Sequence, residues 1–415
     1  MPQHASKIVD PCEQEDRIQA FKTCRDYSLT LCDSLSPEDH MIQGAPFASP
    51  PKWHLAHTNW FFATFVLEPL ALEPSTPSSW KTLFNSYYNG LGQPHARAAR
   101  GILSRPALSD IIQWRMQVDD QIVKSLNADQ FNPEQLQLID LGLQHEMQHQ
   151  ELLVTDLLYS FSLNPSHPIF NATPAPLHPA AAKVEWLKFD GGLIEVGAGD
   201  EGFSFDNEHP RHRHFLEPFV IANRLVTNGE YQKFIDAGGY LDAQWWLSEG
   251  WDTVNREQWR RPLHWLDQNR IFSLQGVQPL DLNAPVCHLS GYEAEAYARW
   301  SGCRLPTEFE WEYAASRQTP EIRPAGLSDA MNQSGWFGSV WQWTQSAYGP
   351  YPGYQPDKGA VGEYNGKFMS SQWVLRGSSF ATPELQQRLH YRNFFYPADR
   401  WQFTGLRLGK TATSP

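Results

Sequence analysis

A run of apolar residues at helical spacing, from Leu136 to Phe161, carries two histidines four residues apart. Positions i and i+4 of a helix lie on the same face, so His145 and His149 can offer two imidazoles to one metal ion. The same spacing also occurs as ordinary packing, and zinc accepts the same ligands as iron. The pattern therefore predicts a long helix and two thirds of a metal site.

A third imidazole is available upstream, where the sequence WHLAH occupies residues 53–57. His54 and His57 are three residues apart, so both cannot point at one centre without strain. His57 shares its helical stripe with Trp53 and Trp60, which favours His57 and leaves His54 packed or exposed. Three imidazoles on two helices of a bundle suit a mononuclear iron centre with open positions for substrate and O2.

Composition limits the classes of protein to which the chain can belong. Its 415 residues give room for two domains, and a net charge of −13 argues against nucleic acid or an anionic membrane as partner. Apolar runs stay below the ~18 residues of a membrane span, and the first residues lack the apolar segment of a secretory signal. The 5 cysteines are scattered without a CxxC pair, as in reduced cytoplasmic proteins, so a cytoplasmic location is predicted.

Periodicity and capping residues predict a helical bundle at residues 1–163. The first predicted helix covers residues 15–35, and the second begins at Pro51. The third runs from an N-cap at Ser109 to Asn127, and the fourth begins at Pro133, directly after an N-cap at Asn132. Residues 83–105 lack a helical period and are predicted to form a long loop. A proline-rich linker is predicted at residues 164–183, because prolines disfavour a helix there.

From residue 184 the sequence changes to short strands, glycines and tryptophans, and residues 184–415 are expected to form a second domain. A hairpin is predicted over residues 185–196, with Gly191 and Gly192 in its turn. Helices are predicted to begin at the capping residues Thr227, Ser290 and Thr307. The chain as a whole is therefore expected to have an α+β fold.

Motifs in both parts resemble known families. The second part resembles the formylglycine-generating (sulfatase-modifying) domain, a C-type-lectin-like fold, through GCRLPTEFEWEYAA (302–315), SVWQWTQS (339–346), VLRGSSF (374–380) and TGLRL (404–408). WHLAH and HEMQH (145–149) resemble the DinB-like four-helix bundle. In this order the two parts resemble the iron-dependent sulfoxide synthases of ergothioneine biosynthesis, which join hercynine to a thiol by using O2. The resemblance implies that the second domain completes the active site.

This resemblance also implies a set of site residues. It implies that Fe(II) is bound by His57, His145 and His149. It implies that Gln148 contacts the imidazole or betaine region of hercynine. Asn393 and Phe394 match a pair that surrounds the trimethylammonium group, which an aromatic face attracts by cation–π contact. Core packing is the structural alternative for Phe394 and its neighbour Phe395.

Two pairs in the predicted loop match further family residues. Tyr87 and Tyr88 match a subgroup whose catalytic tyrosine comes from this loop, and the sequence does not choose between them. A phenol near the metal can deliver a proton as O2 is reduced, and can so favour C–S bond formation over simple dioxygenation of the thiol. Arg97 and Arg100 match arginines that hold the carboxylate of the thiol substrate, which a guanidinium can bind bidentately. Two packed aromatics and a solvated basic face are the structural alternatives.

Departures from the family pattern narrow the expected chemistry. Members that use γ-glutamylcysteine carry an Asp and an Arg where this chain has Phe395 and Asp399, so free cysteine is the predicted thiol; the adjacent Arg400 could partly compensate. Residues 378–407 contain no cysteine, which argues against the copper chemistry of formylglycine generation. Gln342 replaces a glutamate of the family's GNVWEW motif, which argues against a structural calcium.

Three alternatives stay open. A sister reaction on histidine, of the ovothiol type, and a selenium-inserting reaction that makes selenoneine would use the same architecture. In the third alternative the second domain binds a ligand without catalysis, and the histidines hold a structural zinc with Glu151 as the nearest fourth ligand. Glu151 lies two residues after His149 and so faces another side of the helix, which argues against this last alternative.

Overall fold

The computed structural model describes residues 11–88, 90, 92–175, 177–318, 335–356 and 365–412. The chain divides into two compact units, Met1–Leu157 and Leu158–Pro415. The first unit is built from helices and the second contains the strands. The α+β fold is therefore confirmed, while the predicted domain and linker boundaries stay a prediction.

The helices in the first part of the chain are α1 (Pro11–Thr30), α2 (Pro51–Phe61), α3 (Trp80–Leu83), α4 (Leu108–Asn127) and α5 (Pro133–Ser162). The first helix ends earlier than the predicted residue 35, because residues 31–34 form turns. Among the described helices, none combines the length and the apolar character that a membrane span requires.

Capping explains where two of these helices begin. The side-chain oxygen of Asn132 accepts from the Gln135 amide at 2.9 Å, and the Asn132 amide donates to the Gln135 side chain at 2.8 Å, so the predicted N-cap of α5 is confirmed. The predicted cap at Ser109 is wrong. The Ala107 amide donates to the Asp110 carboxylate at 2.9 Å, and this contact starts α4 before Ser109.

Every residue of α2 is buried, so this helix forms the centre of the first unit. It begins at Pro51 as predicted, because proline at the first position gives up an amide that a helix leaves unpaired anyway. Beyond Phe61 the chain continues as a π-helical stretch, Phe62–Leu67. The wider turn of a π-helix changes the direction in which the side chains that follow point around the helix axis.

A buried ionic cluster ties the four long helices together. Glu146 on α5 accepts from Arg25 on α1 and from Arg115 on α4, at 2.7 Å in each case. Arg25 also donates to the Asn59 side chain on α2 at 2.6 Å and to Asp119 on α4 at 2.6 Å. These bonds fix α5 against the rest of the bundle, at the residue next to His145.

The second unit combines short strands with short helices. Its described strands are β1 (Trp186–Phe189), β2 (Gly192–Val196), β3 (His212–Leu216), β4 (Phe219–Ala222), β5 (Arg270–Ser273), β6 (Gly276–Pro279), β7 (Trp341–Ala347), β8 (Trp373–Gly377), β9 (Asn393–Phe395), β10 (Thr404–Gly405) and β11 (Gly409–Thr411). They form sheets in the orders β1-β4-β11, β10-β7-β8-β9, β2-β3 and β5-β6. Its described α-helices are α6 (Asn228–Asp236), α7 (Ser248–Arg256), α8 (Gly291–Trp300) and α9 (Glu308–Ala315).

The predicted hairpin over residues 185–196 is wrong. Strands β1 and β2 form there, but β1 pairs with β4 and β2 pairs with β3. Gly191 and Gly192, at φ values of 72° and 101°, turn the chain from one sheet into the other. A Cβ on Gly191 would lie 2.2 Å from the Leu216 carbonyl oxygen, so the residue must be glycine.

The three predicted helix starts in this unit are confirmed. The hydroxyls of Thr227, Ser290 and Thr307 each accept from the amide three residues on, and a glutamate at that position bonds back to the capping amide. This reciprocal arrangement satisfies two amides that a helix terminus otherwise leaves unpaired.

The core of the second unit lies where α9 packs against the strands. Its buried centre includes Trp311 and Phe219. Beside it, Arg376 on β8 donates to Glu308 at 3.0 Å and to Glu312 at 2.9 Å, and all three are buried. Gln342, which departs from the family motif, accepts from the Trp311 indole at 2.8 Å. That glutamine therefore has a structural function in the core.

Candidate metal centre

Three histidines meet in the first unit, one from α2 and two from α5. One nitrogen from each of His57, His145 and His149 lies within 4.8 Å of the others. The ring centroids are 4.9 Å apart for His57 and His145, 4.7 Å for His57 and His149, and 4.6 Å for His145 and His149. These distances leave room for one ion between the rings. Their role as metal ligands stays a prediction.

The three rings are present as neutral imidazoles, the form that binds a metal. Burial lowers the pKa of each of them below the ordinary value, and to about 3 for His145. Each ring therefore has a nitrogen lone pair at neutral pH.

Hydrogen bonding orients the ring of His57. Its Nδ1 donates to the carbonyl oxygen of Phe84 at 2.6 Å, which leaves Nε2 as the nitrogen with the lone pair. Nε2 is buried and has no hydrogen-bond partner among the residues that the structure describes. The ring is also stacked on Trp53, with centroids 4.5 Å apart. An ion at Nε2 would satisfy this nitrogen.

His54 contacts the proposed ligand His149, although the sequence predicted only that His54 is packed or exposed. It is buried, and its Nδ1 lies 2.8 Å from Nδ1 of His149. Its Nε2 lies 3.2 Å from the Asp156 carboxylate. Asp156 follows His149 by seven residues on the same helix face, and that spacing was the clue that sequence reasoning missed.

The predicted carboxylate-binding arginines differ in their surroundings. Both lie in a 3₁₀ turn, Arg97–Ile102, within the predicted long loop. Arg97 is exposed, whereas Arg100 is buried with its guanidinium 3.3 Å from the centroid of the Trp53 ring. Arg100 donates to the hydroxyls of Ser49 at 2.9 Å and Ser86 at 3.1 Å. Burial, and then the charge of Arg97, lower the pKa of Arg100 to about 8.

The rings of the two loop tyrosines pack against each other at a tilt of 31°, with centroids 4.6 Å apart. Tyr88 is fully buried, and Tyr87 is half-buried. The Tyr88 ring packs 5.6 Å from Trp60, which is in turn stacked on His57 at 5.8 Å. The packing therefore associates Tyr88 more closely with the three histidines than the sequence alone could indicate.

Two further polar residues lie on α5 beside the ligand pair. Gln148 and Glu151 are both half-buried. Within the described parts of the chain, the group able to hold an ion consists of the three histidines and does not include Glu151. This argues against the structural zinc with Glu151 as fourth ligand.

Besides Gln148, the predicted hercynine-binding residues are Asn393, Phe394 and Phe395, which lie in the second unit on β9. Phe394 is stacked on Tyr348 with ring centroids 4.0 Å apart, and the Asn393 side chain accepts from the Phe394 amide at 2.9 Å. Phe395 packs edge-on against Trp401 at 6.0 Å. Their contact with a substrate stays a prediction.

Asp399 and Arg400, which the sequence analysis connected with the choice of thiol, both form hydrogen bonds within the second unit. Asp399 accepts from the Tyr396 amide at 3.2 Å. Arg400 donates to Glu293 at 3.0 Å and lies over the Trp259 ring at 3.9 Å. Because Arg400 is already paired with the buried Glu293, it is poorly placed to bind the carboxylate of a substrate.

Known proteins resemble both parts of the chain. A model of the DinB superfamily matches residues 20–153, and a model of the sulfatase-modifying factor enzyme 1-like domain matches residues 177–326.

Two relatives resemble most of the chain. The hercynine oxygenase of Mycobacterium tuberculosis is 31% identical over 398 residues, which cover 88% of this chain and 91% of that protein. The hercynine oxygenase of Mycolicibacterium smegmatis is 29% identical over 432 residues, which cover 95% of this chain and 98% of that protein.

A third relative resembles part of the chain. Ergothioneine biosynthesis protein 1 of Schizosaccharomyces pombe is 30% identical over 232 residues, which cover 50% of this chain and 28% of that protein. Likeness along nearly the full length of two relatives identifies the family: the chain belongs to the hercynine oxygenases.

Proposed function

We propose that this protein is an Fe(II)- and O2-dependent sulfoxide synthase of ergothioneine biosynthesis, which joins hercynine to free cysteine. The observation that carries the proposal is the approach of His57, His145 and His149 to within 4.8 Å in a family of hercynine oxygenases. Three imidazoles without a carboxylate leave further positions of an iron ion open. When bound, iron would supply the site at which O2 and the thiolate meet.

The overall reaction balances without another reductant. Forming the C–S bond removes one hydrogen from the imidazole carbon and one from the thiol, and oxidation of sulfur to sulfoxide supplies two more electrons. O2 accepts four electrons in total. One of its oxygen atoms enters the sulfoxide and the other leaves as water.

Arg100 is the proposed binding group for the cysteine carboxylate. Its described hydrogen-bond partners, Ser49 and Ser86, are neutral hydroxyls, so they do not cancel the charge of the guanidinium. A buried cation of this kind favours an anion as ligand. Arg97 is proposed as a second, more exposed contact, and Gln148, Asn393, Phe394 and Phe395 as contacts to hercynine.

Tyr88 is the proposed proton donor, because its ring is buried and packs on the Trp60 ring that stacks on His57. We expect Tyr88→Phe to lower the rate of sulfoxide formation by about 10²- to 10⁴-fold and to raise the share of cysteine sulfinic acid. Both products are measured by mass spectrometry. Tyr87→Phe is the matched control, and a loss confined to that variant would transfer the role to Tyr87.

The test of the proposed function starts from metal-free full-length protein reconstituted with Fe(II) without oxygen. The protein is then incubated in air with hercynine and either cysteine or γ-glutamylcysteine. We expect a hercynine–cysteine adduct with one added oxygen, formed from free cysteine and lost in His149→Ala. His40→Ala is the matched control, since His40 is buried in the same unit and contacts the Ser36 carbonyl at 2.8 Å.

Other outcomes contradict parts of the proposal. Turnover with γ-glutamylcysteine alone would retain the reaction and reject free cysteine as the thiol. Bound iron without an adduct from either thiol would point to histidine or to a selenium donor. Tight zinc without iron binding would favour the ligand-binding alternative.

A further inference from the structure

A hydrogen-bonded series of side chains connects one proposed metal ligand to a buried carboxylate. It runs from His149 through His54 to Asp156, with the two imidazoles 2.8 Å apart between their Nδ1 atoms. The second contact joins His54 Nε2 to Asp156 Oδ2 at 3.2 Å. His54 and Asp156 are both buried, with exposed fractions of 3% and 4%.

The direction of each hydrogen bond follows from the carboxylate. Asp156 Oδ2 also accepts from the Ser49 amide at 2.8 Å, so it acts as an acceptor. Nε2 of His54 must therefore carry the proton that it donates to Asp156. In a neutral imidazole the other nitrogen then accepts, so Nδ1 of His149 donates to Nδ1 of His54. The lone pair of His149 is left on Nε2.

This arrangement secures the His149 ring in a different way from the His57 ring. His57 donates to a backbone carbonyl, that of Phe84, which no substitution removes. His149 instead depends on a side chain that is itself held by another side chain. The edge of Trp53, with its centroid 5.8 Å from that of His54, restricts the His54 ring further.

We infer that His54, held by Asp156, is a positioning residue that fixes the ring orientation and the tautomer of His149. The inference rests on the proposed metal centre and deepens it. His54 does not bind the ion; it acts through His149. Removal of such partners of a ligating histidine typically weakens metal binding by about 10- to 100-fold.

Two substitutions of His54 distinguish the effect of its hydrogen bond to His149 from the effect of the space that its ring fills. His54→Asn keeps an acceptor oxygen near the position of Nδ1, whereas His54→Leu fills the space without an acceptor. His40→Leu is the matched control for removing a buried histidine from the same unit, because its contact is with the Ser36 carbonyl. Thermal unfolding of the metal-free variants shows whether each of them is folded.

The experiment titrates the full-length, metal-free proteins with Co(II) in the absence of oxygen and follows the visible absorption of the bound ion. Co(II) serves as a probe of the ligand set and requires no turnover. We expect His54→Leu to bind Co(II) about 10- to 100-fold more weakly and with an altered spectrum. His54→Asn and His40→Leu are expected to bind like the unmodified protein.

The outcomes separate this inference from the function on which it rests. Equal Co(II) affinity and spectra for His54→Leu and His40→Leu would overturn the positioning role and leave the metal centre intact. Equal weakening in His54→Leu and His54→Asn, both folded, would show that the acceptor is not what matters. Failure of the unmodified protein to bind Co(II) or Fe(II) would overturn both.

Discussion

Replacing Glu146 with alanine is expected to lower the free energy of unfolding by about 3 to 5 kcal/mol. The Glu146 carboxylate lies between the guanidinium groups of Arg25 and Arg115, at 2.7 Å from each, and all three side chains are 1% exposed. Its removal leaves buried charge without its partner, which costs more than the intact cluster contributes. Urea denaturation followed by far-UV circular dichroism measures the loss in the helical transition.

A half-exposed ion pair in the same unit serves as the control for Glu146. Arg17 and Asp140 are 3.0 Å apart, with side chains 22% and 36% exposed. Solvent screens such a pair, so Asp140→Ala is expected to cost less than about 1 kcal/mol. Similar losses for the two variants would mean that burial of the Glu146 cluster has no special energetic effect.

Replacing Arg376 with methionine is expected to destabilise the second unit by a similar amount, about 3 to 5 kcal/mol. Methionine fills the space of the side chain but leaves Glu308 and Glu312 buried together without the shared cation, at 3% exposure each. Differential scanning calorimetry of the full chain measures the shift of the transition that belongs to this unit.

The matched control is an arginine in an exposed ion pair of the same unit. Arg211 and Glu195 are 3.0 Å apart, with side chains 49% and 61% exposed. We expect Arg211→Met to change the stability by no more than about 1 kcal/mol. An Arg376→Met variant as stable as Arg211→Met would contradict the assigned role of the buried cluster.

Local chemistry made the helix starts predictable. A threonine or serine followed three residues later by glutamate satisfies two helix amides reciprocally, and the caps at Thr227, Ser290 and Thr307 formed as predicted. The approach of His145 to His149 follows equally from a spacing of four residues. Both predictions depend only on neighbours in the chain.

Pairing between distant segments was not predictable in the same way. Strands β1 and β2 look like a hairpin in the sequence, but their partners β4 and β3 come later in the chain. The choice of partner depends on packing over the whole unit, which no local pattern contains. His54 was missed for a related reason, because its partners His149 and Asp156 lie on another helix.

The choice between the two tyrosines also needed the tertiary structure. Tyr87 and Tyr88 are adjacent and chemically identical, so the sequence offered no means of ranking them. The Asn85 side-chain oxygen accepts a hydrogen bond from the Tyr88 amide at 3.1 Å, and its side-chain nitrogen donates to the Tyr88 carbonyl oxygen at 2.9 Å. These two bonds hold the Tyr88 backbone in place. Tyr88 is buried as a result of the surrounding packing, and the ranking follows from that burial.

The three proposed ligands, together with His54 and Asp156, occupy two short helical segments, residues 54–57 and 145–156. His149 and Asp156 share one face of the second segment, and His54 and His57 come from the first. Both segments could therefore be grafted together onto a designed scaffold without the rest of the chain. Artificial metal sites often fail because the residues around the ligands are left loose, and these segments would bring part of that support with them.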